Sequence, residues 1–250
     1  MIRQSHKKYE ILSTTELSES FLDSLILEFQ SLLHPEKVEQ SCELVGFSGR
    51  GKISKIECQG SSYVVRLFRR GGVIAKLNNS FFLQPFLKSD TFRPFLEYKI
   101  LMKLISHGIK VPSPKAAIVK RYVGGFYQGA LVTKELVGSK NFLDLIVDKS
   151  SDRNMLVENS YRAGVEAAKS IRAGIHHIDL HPGNVLCVSN VVYLIDFDKA
   201  ICHESGVNFE TVAEKVINRW DRSLSKRLSN LDDIKAAISS SFKAGIYYQK

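Results

Sequence analysis

The sequence predicts an α+β chain in two parts, strand-rich over residues 1–136 and helical over 137–250. Two observations carry that division. Up to residue 136 the apolar residues fall in short β-branched and aromatic runs punctuated by glycine and serine. Beyond it they recur at helical spacing. A chain of 250 residues is long enough to bury a core in such an arrangement.

The strand-like runs are ELVGF (43–47), GKISKIEC (51–58) and SSYVVRLF (61–68). PFLEYKILMKLISHG (94–108) reads as a helix closed by Gly108. Its prolines make VPSP (111–114) extended. AAIVKRY and FYQGALVTKEL flank VGG (123–125) as the arms of a hairpin. In the second part, 141–149 forms a short helix, and 154–172 a longer one with Val157, Tyr161, Val165, Ala168 and Ile171 on one face. Two short strand patterns follow in IHHIDLHPGNVLCV (175–188) and VVYLIDFDKA (191–200), and residues 209–250 form an amphipathic helical tail.

Lys plus Arg number 35 against 26 Asp plus Glu, a net charge of +9 that favours anionic partners. Nucleic acid is not expected among them, because no RRM, KH or zinc pattern accompanies the charge. Cys42, Cys58, Cys187 and Cys202 form no C-x-x-C pair and have no histidine at zinc-finger spacing, so reduced thiols in a cytosolic protein are expected. The opening MIRQSHKKYE lacks the apolar run of a secretory signal, and no stretch reaches the ~20 apolar residues of a membrane span.

The strongest functional signal is HIDLHPGN, His177 to Asn184, which fits the kinase catalytic-loop pattern H-x-D-x-x-x-x-N. Phosphoryl transfer needs a carboxylate beside the attacking hydroxyl and an oxygen ligand for Mg²⁺. Asp179 is placed as the base and Asn184 as a metal ligand. Twelve residues beyond Asn184, an apolar run ends in Asp196, Phe197 and Asp198, in the place of D-F-G, and Asp196 is the second expected metal ligand. A lone H-x-D means little; Asp, Asn and Asp in this order with two strand patterns between are specific. His181 either steadies a phosphate or packs in the loop. These motifs turn the α+β reading into a bilobal protein-kinase-like fold, with a sheet-rich N-terminal lobe and a helical C-terminal lobe.

On the nucleotide side, Gly46, Gly49 and Gly51 of GFSGRGK let backbone N–H groups approach ATP phosphates. A plain glycine-rich hairpin accounts for them equally well taken alone. Arg66 of YVVR stands where kinases carry lysine, and Glu97 lies on the apolar face of the 94–108 helix with Ile100, Leu101 and Leu104. A carboxylate there wants a cation, and Arg66 is the candidate. The strand running into LVTKELV offers backbone near Glu135 to Val137 for adenine. No A-P-E follows the Asp196 segment, which speaks against a protein acceptor.

The chain resembles the 3-deoxy-D-manno-octulosonic acid (Kdo) kinases of the lipopolysaccharide core kinase group. The stretches that carry the likeness are GRGK (49–52), VVRLFRRGGVIAKL (64–77), TFRPFLEYKILMKL (91–104), GIKVPSPKAA (108–117), ALVTKEL (130–136), HHIDLHPGNVL (176–186), YLIDFDKA (193–200) and NRWDRSLSKRL (218–228). The resemblance implies transfer of the ATP γ-phosphate to the 4-hydroxyl of Kdo on Kdo-lipid A, with Asp179 as base. It also implies a peripheral location on the anionic cytoplasmic face of a Gram-negative inner membrane. Arg69, Arg70 and Lys76 would suit an acidic glycolipid. Two readings stand beside it: another small-molecule or atypical protein kinase, and a catalytically silent module that binds anionic glycolipid.

Overall fold

The computed structural model describes residues 1–6, 8–34, 53–58, 60–69, 80–83, 91–203, 208–227 and 232–248. Gly46, Gly49 and Gly51, the ELVGF run, Arg70 and Lys76 lie outside the described residues. The chain divides into two units: residues 1–99 with 113–135, and residues 100–112 with 136–250.

The first unit is built on one antiparallel sheet. Its strands are β1 (Ile2–His6), β2 (Tyr9–Ser13), β3 (Ile53–Cys58), β4 (Ser61–Leu67), β5 (Phe82–Leu83), β6 (Pro114–Arg121) and β7 (Phe126–Lys134). They run in the order β1-β2-β6-β7-β4-β3, with β5 also on β7. Helix α1 (Glu19–Leu33) starts at Ser18, whose hydroxyl accepts from the Phe21 N–H. Its Phe21, Leu22, Leu25, Ile26, Phe29 and Leu32 are buried against Ile11, Ile56, Val65, Leu67, Ile118 and Val132 of the sheet. The β1–β2 hairpin and α1 add a layer ahead of residue 43, where the sequence analysis placed no element.

Strand periodicity sorts β4 between two faces. Val65 and Leu67 enter the α1 core, and Arg66 between them points the other way, toward α2 (Arg93–Ser106). Gly129 on β7 permits the close approach of that helix, since a Cβ there would stand 2.6 Å from Cγ of Pro94 and 2.9 Å from the Ile118 carbonyl. Helix α2 closes as expected at Gly108, whose φ of +72° goes with a bond from the Ile109 N–H to the Leu104 carbonyl at 3.0 Å.

In the second unit, Asn141 caps α3 (Phe142–Val147) and Asp152 caps α4 (Arg153–Arg172). The tail is two helices, α5 (Phe209–Arg227) and α6 (Asp232–Ile246), rather than one. Strands β8 (Lys140–Asn141), β10 (Val185–Val188) and β11 (Val191–Leu194) pair in the order β11-β10-β8, and β9 (Ile175–His176) pairs with β12 (Ile201–Cys202). The fully buried Trp220 stacks on Phe242 with ring centroids 3.9 Å apart. The α4 face departs from expectation. Ala168 and Ile171 are buried as expected, but Val157, Tyr161 and Val165 are only half buried, whereas Ser160, Ala163, Gly164 and Ala167 are buried. The reason is how closely α6 passes: a Cβ on Gly164 would meet the Phe242 carbonyl at 2.1 Å, and one on Gly245 the Tyr161 carbonyl at 2.0 Å. Among the described residues no helix is long and apolar enough to cross a membrane.

Candidate active site

The loop between β9 and β10 carries the HIDLHPGN motif, and its geometry follows from short-range bonds. His177 is buried, with its ring 4.4 Å from that of Phe197. Its Nε2 lies 2.9 Å from the Ile195 carbonyl, which fixes the proton there in the neutral ring. Burial lowers its pKa, against the pull of that carbonyl and of Asp196 and Asp179. The Ile195 N–H in turn donates to the Asn184 carbonyl at 3.0 Å. The His177–Asn184 loop and the Asp196 segment are therefore tied through both the N–H and the carbonyl of Ile195.

His181 caps the short 3₁₀ turn Pro182–Asn184. Its Nδ1 accepts from the Gly183 N–H at 3.0 Å, and Asn141 donates to the Gly183 carbonyl at 2.9 Å. Burial, with the Arg219 charge, lowers the His181 pKa to about 4, so the ring is neutral and its lone pair stays available to the cap. Of the two roles the sequence left open for His181, the structure displays the packing one.

Asp179 is held by two cations. Arg219 on α5 donates to Oδ1 from Nε at 2.9 Å and from Nη2 at 2.7 Å, and Nζ of Lys199 stands 3.5 Å from Oδ2. Burial pushes the carboxyl up, but the Arg219 hydrogen bond and charge, with Lys199, outweigh it and leave it below the ordinary value. Asn184 is buried, and its Nδ2 donates to the Asp179 main-chain carbonyl at 3.0 Å. A carbonyl acceptor requires the NH₂ end, so the amide oxygen faces the opposite way. Asp196 follows Ile195 with a φ of +67°, a left-handed conformation that costs a non-glycine residue about 1 kcal/mol or more and recurs at functional sites.

These donors suit a divalent cation of the Mg²⁺ type. Such an ion takes one or two protein oxygens and completes its shell with phosphate and water. Among the described residues no three His, Cys, Asp or Glu side chains form a metal cage of their own. An amide oxygen and one carboxylate, on two segments tied through Ile195, match an ion whose remaining ligands arrive with the substrate.

In the first unit Arg66 and Glu97 meet, Nη2 to Oε2, at 2.5 Å, and the Arg66 guanidinium also lies 4.8 Å from the Phe68 ring centre. Glu135 forms an ion pair with Lys55, and hydrogen bonds from Lys55 and Ser62 hold its carboxyl low. Its backbone N–H donates to the Ser62 carbonyl at 2.9 Å. That amide is committed to strand pairing. Val137 is exposed in a turn closed by the Ser139 N–H on the Leu136 carbonyl at 3.0 Å, with Gly138 at φ +72°.

Arg219 and Lys199 are the site residues that sequence reasoning missed. Both lay inside stretches singled out above, NRWDRSLSKRL and YLIDFDKA. The available signal was chemical: a half-buried carboxylate calls for a counter-charge. Spacing could not supply the partner, because Arg219 is 40 positions from Asp179.

A model described as the lipopolysaccharide kinase (Kdo/WaaP) family matches residues 41–233. The chain is 30% identical over 199 residues to a 3-deoxy-D-manno-octulosonic acid kinase of Vibrio vulnificus (strain CMCP6), covering 78% of this chain and 79% of that one. It is 31% identical over 183 residues to the enzyme of the same description from Xylella fastidiosa (strain M12), covering 73% and 69%. A solved structure of WaaP in complex with acyl carrier protein superposes with a TM-score of 0.53 at 13% identity, covering 93% of this chain and 88% of that one; it shares the kinase-like fold.

Proposed function

This chain belongs to the lipopolysaccharide kinase (Kdo/WaaP) family, a phosphotransferase with a hydroxyl group as acceptor, and we propose that it phosphorylates the 4-hydroxyl of Kdo on Kdo-lipid A. The observation that supports this most is the loop that sets Asp179 and Asn184 side by side and ties them to the Asp196 segment. Kinase-family membership implies ATP as the donor.

Phosphoryl transfer passes through a loose transition state, so positioning and charge matter more than early proton removal. A low-pKa Asp179 fits that demand. It orients the acceptor hydroxyl and accepts its proton late. Asn184 and Asp196 would hold Mg²⁺, which supplies neutralisation of phosphate charge when bound. Arg66, braced by Glu97, would pair with ATP phosphates. The Glu135 carbonyl and the Val137 backbone would receive adenine, and Gly46, Gly49 and Gly51 would cover the phosphates. The reading also puts the chain at the cytoplasmic face of the inner membrane, held peripherally by its basic surface, since the acceptor is bilayer-anchored and no described helix spans a membrane.

The test is incubation with labelled ATP, Mg²⁺ and purified Kdo-lipid A, followed by mass spectrometry of the lipid. One added phosphate is expected, abolished by EDTA and restored by Mg²⁺. Transfer to an aminoglycoside, choline or a peptide with none to the lipid would replace this acceptor by another. ATP binding without transfer to any of them would favour the silent binding module.

A further inference from the structure

Arg219 does more than a mere support for Asp179 requires. Its helix is anchored by the buried Val216, Ile217, Trp220 and Leu224, so the root of the side chain is fixed. Nε and one Nη both converge on a single carboxylate oxygen, at 2.9 and 2.7 Å, while 27% of the side chain remains exposed. A guanidinium carries five N–H donors, and this arrangement commits two of them. Lys199 differs: it is 58% exposed and stands 3.5 Å from the other oxygen, Oδ2. Asp179, Arg219 and Lys199 together carry one net positive charge.

That sign is informative. An isolated aspartate at the hydroxyl-binding position would repel an acidic acceptor. A rigid arginine sharing the aspartate cancels the repulsion and offers a planar fork that matches a second carboxylate. An octulosonic acid carries such a carboxylate, a few bonds from its 4-hydroxyl.

We propose that Arg219 is an acceptor-specificity residue. Its Nε and one Nη hold Oδ1 of Asp179, and the rest of its fork binds the carboxylate of the acidic sugar whose hydroxyl lies on Oδ2. This rests on the reading that the acceptor is Kdo, and it adds the feature of the sugar that is recognised and the residue that recognises it.

The experiment compares Kdo-lipid A with the same glycolipid methyl-esterified at the Kdo carboxylate, using the full chain as wild type, Arg219→Gln and Arg219→Lys. Wild type is expected to prefer the acid by roughly tenfold or more in kcat/KM, mainly through KM, as for loss of a charge-assisted hydrogen bond. Arg219→Gln brings the acid-to-ester ratio close to one, Arg219→Lys keeps part of it, and the KM for ATP is the same in all three. A support role alone would lower both acceptors together and leave the ratio unchanged, which overturns the proposal. Wild type indifferent to esterification overturns it without any variant, so a misfolded Arg219→Gln leaves the question decidable. Wild type that phosphorylates neither glycolipid but does phosphorylate another acceptor is a different result, and it removes the functional reading itself.

Discussion

Nη2 of Arg66 donates to Oε2 of Glu97 at 2.5 Å, and the Glu97 side chain is only 1% exposed. A carboxylate so deep needs its cation, and removing one partner of a buried pair typically costs about 3–5 kcal/mol. The pair lies on the face of β4 opposite the α1 core, so both residues are fixed by separate elements.

If the pair grips ATP, Arg66→Met and Glu97→Gln will not act independently. A double-mutant cycle in ATP affinity is expected to show a coupling of about 0.5–3 kcal/mol. Strict additivity would separate the ion pair from nucleotide binding.

Asp179→Asn tests the base. Turnover should fall by on the order of 10²–10⁴, the usual contribution of general base catalysis, with the KM for ATP little changed. A variant with near-normal kcat would take Asp179 out of the mechanism.

His181 predicts a pH dependence of stability. Its folded pKa of about 4 lies below the ordinary value of 6.5, so between these two the unfolded chain binds more protons and stability rises with pH. The stabilisation is complete above about 6.5 and lost as pH falls toward 4. Asp179 adds to the loss only at the acid end, because its lowered pKa makes its stabilisation fade as pH falls from the ordinary carboxylate value downward. Discounted for partial exposure, the wild type should lose on the order of 1–2 kcal/mol to His181 across the window. His181→Asn keeps an acceptor for the Gly183 N–H and should reduce that slope in urea denaturation, while the buried His176 and His177, also held below the ordinary value, keep the remainder. Parallel slopes would contradict the neutral cap.

The α4–α6 crossing predicts a packing effect. Gly164→Ala or Gly245→Ala gains about 1 kcal/mol of helix propensity. Each also drives a methyl onto backbone oxygen at 2.1 or 2.0 Å. The net effect should be a loss of about 1–3 kcal/mol, read as a lower Tm. A stabilised Gly245→Ala would show that the helices separate freely.

How far the sequence could be read depends on the range of the interactions. The HIDLHPGN loop was legible as a unit because its motif and its short-range bonds sit within eight consecutive residues, His177 to Asn184. The Arg66–Glu97 contact was legible because helical periodicity put Glu97 on an apolar face where only a cation makes sense. Gly108 ends its helix as its conformation demands. Arg219 on Asp179 was not legible, since helix packing and not local spacing joins them. The buried face of α4 was read correctly only at Ala168 and Ile171, because a search for large apolar residues overlooks a crossing that needs serine, alanine and glycine. Helix α1 was missed although Ser18 and its six buried apolar residues form an ordinary amphipathic pattern.

The most direct test of the central claim is phosphorus–proton correlation NMR of the lipid formed from Kdo-lipid A, ATP and Mg²⁺. The account predicts a single new phosphate correlated with the proton on C4 of Kdo, absent when Asp179→Asn replaces the wild type. A phosphate on a lipid A glucosamine or on another Kdo hydroxyl would contradict it.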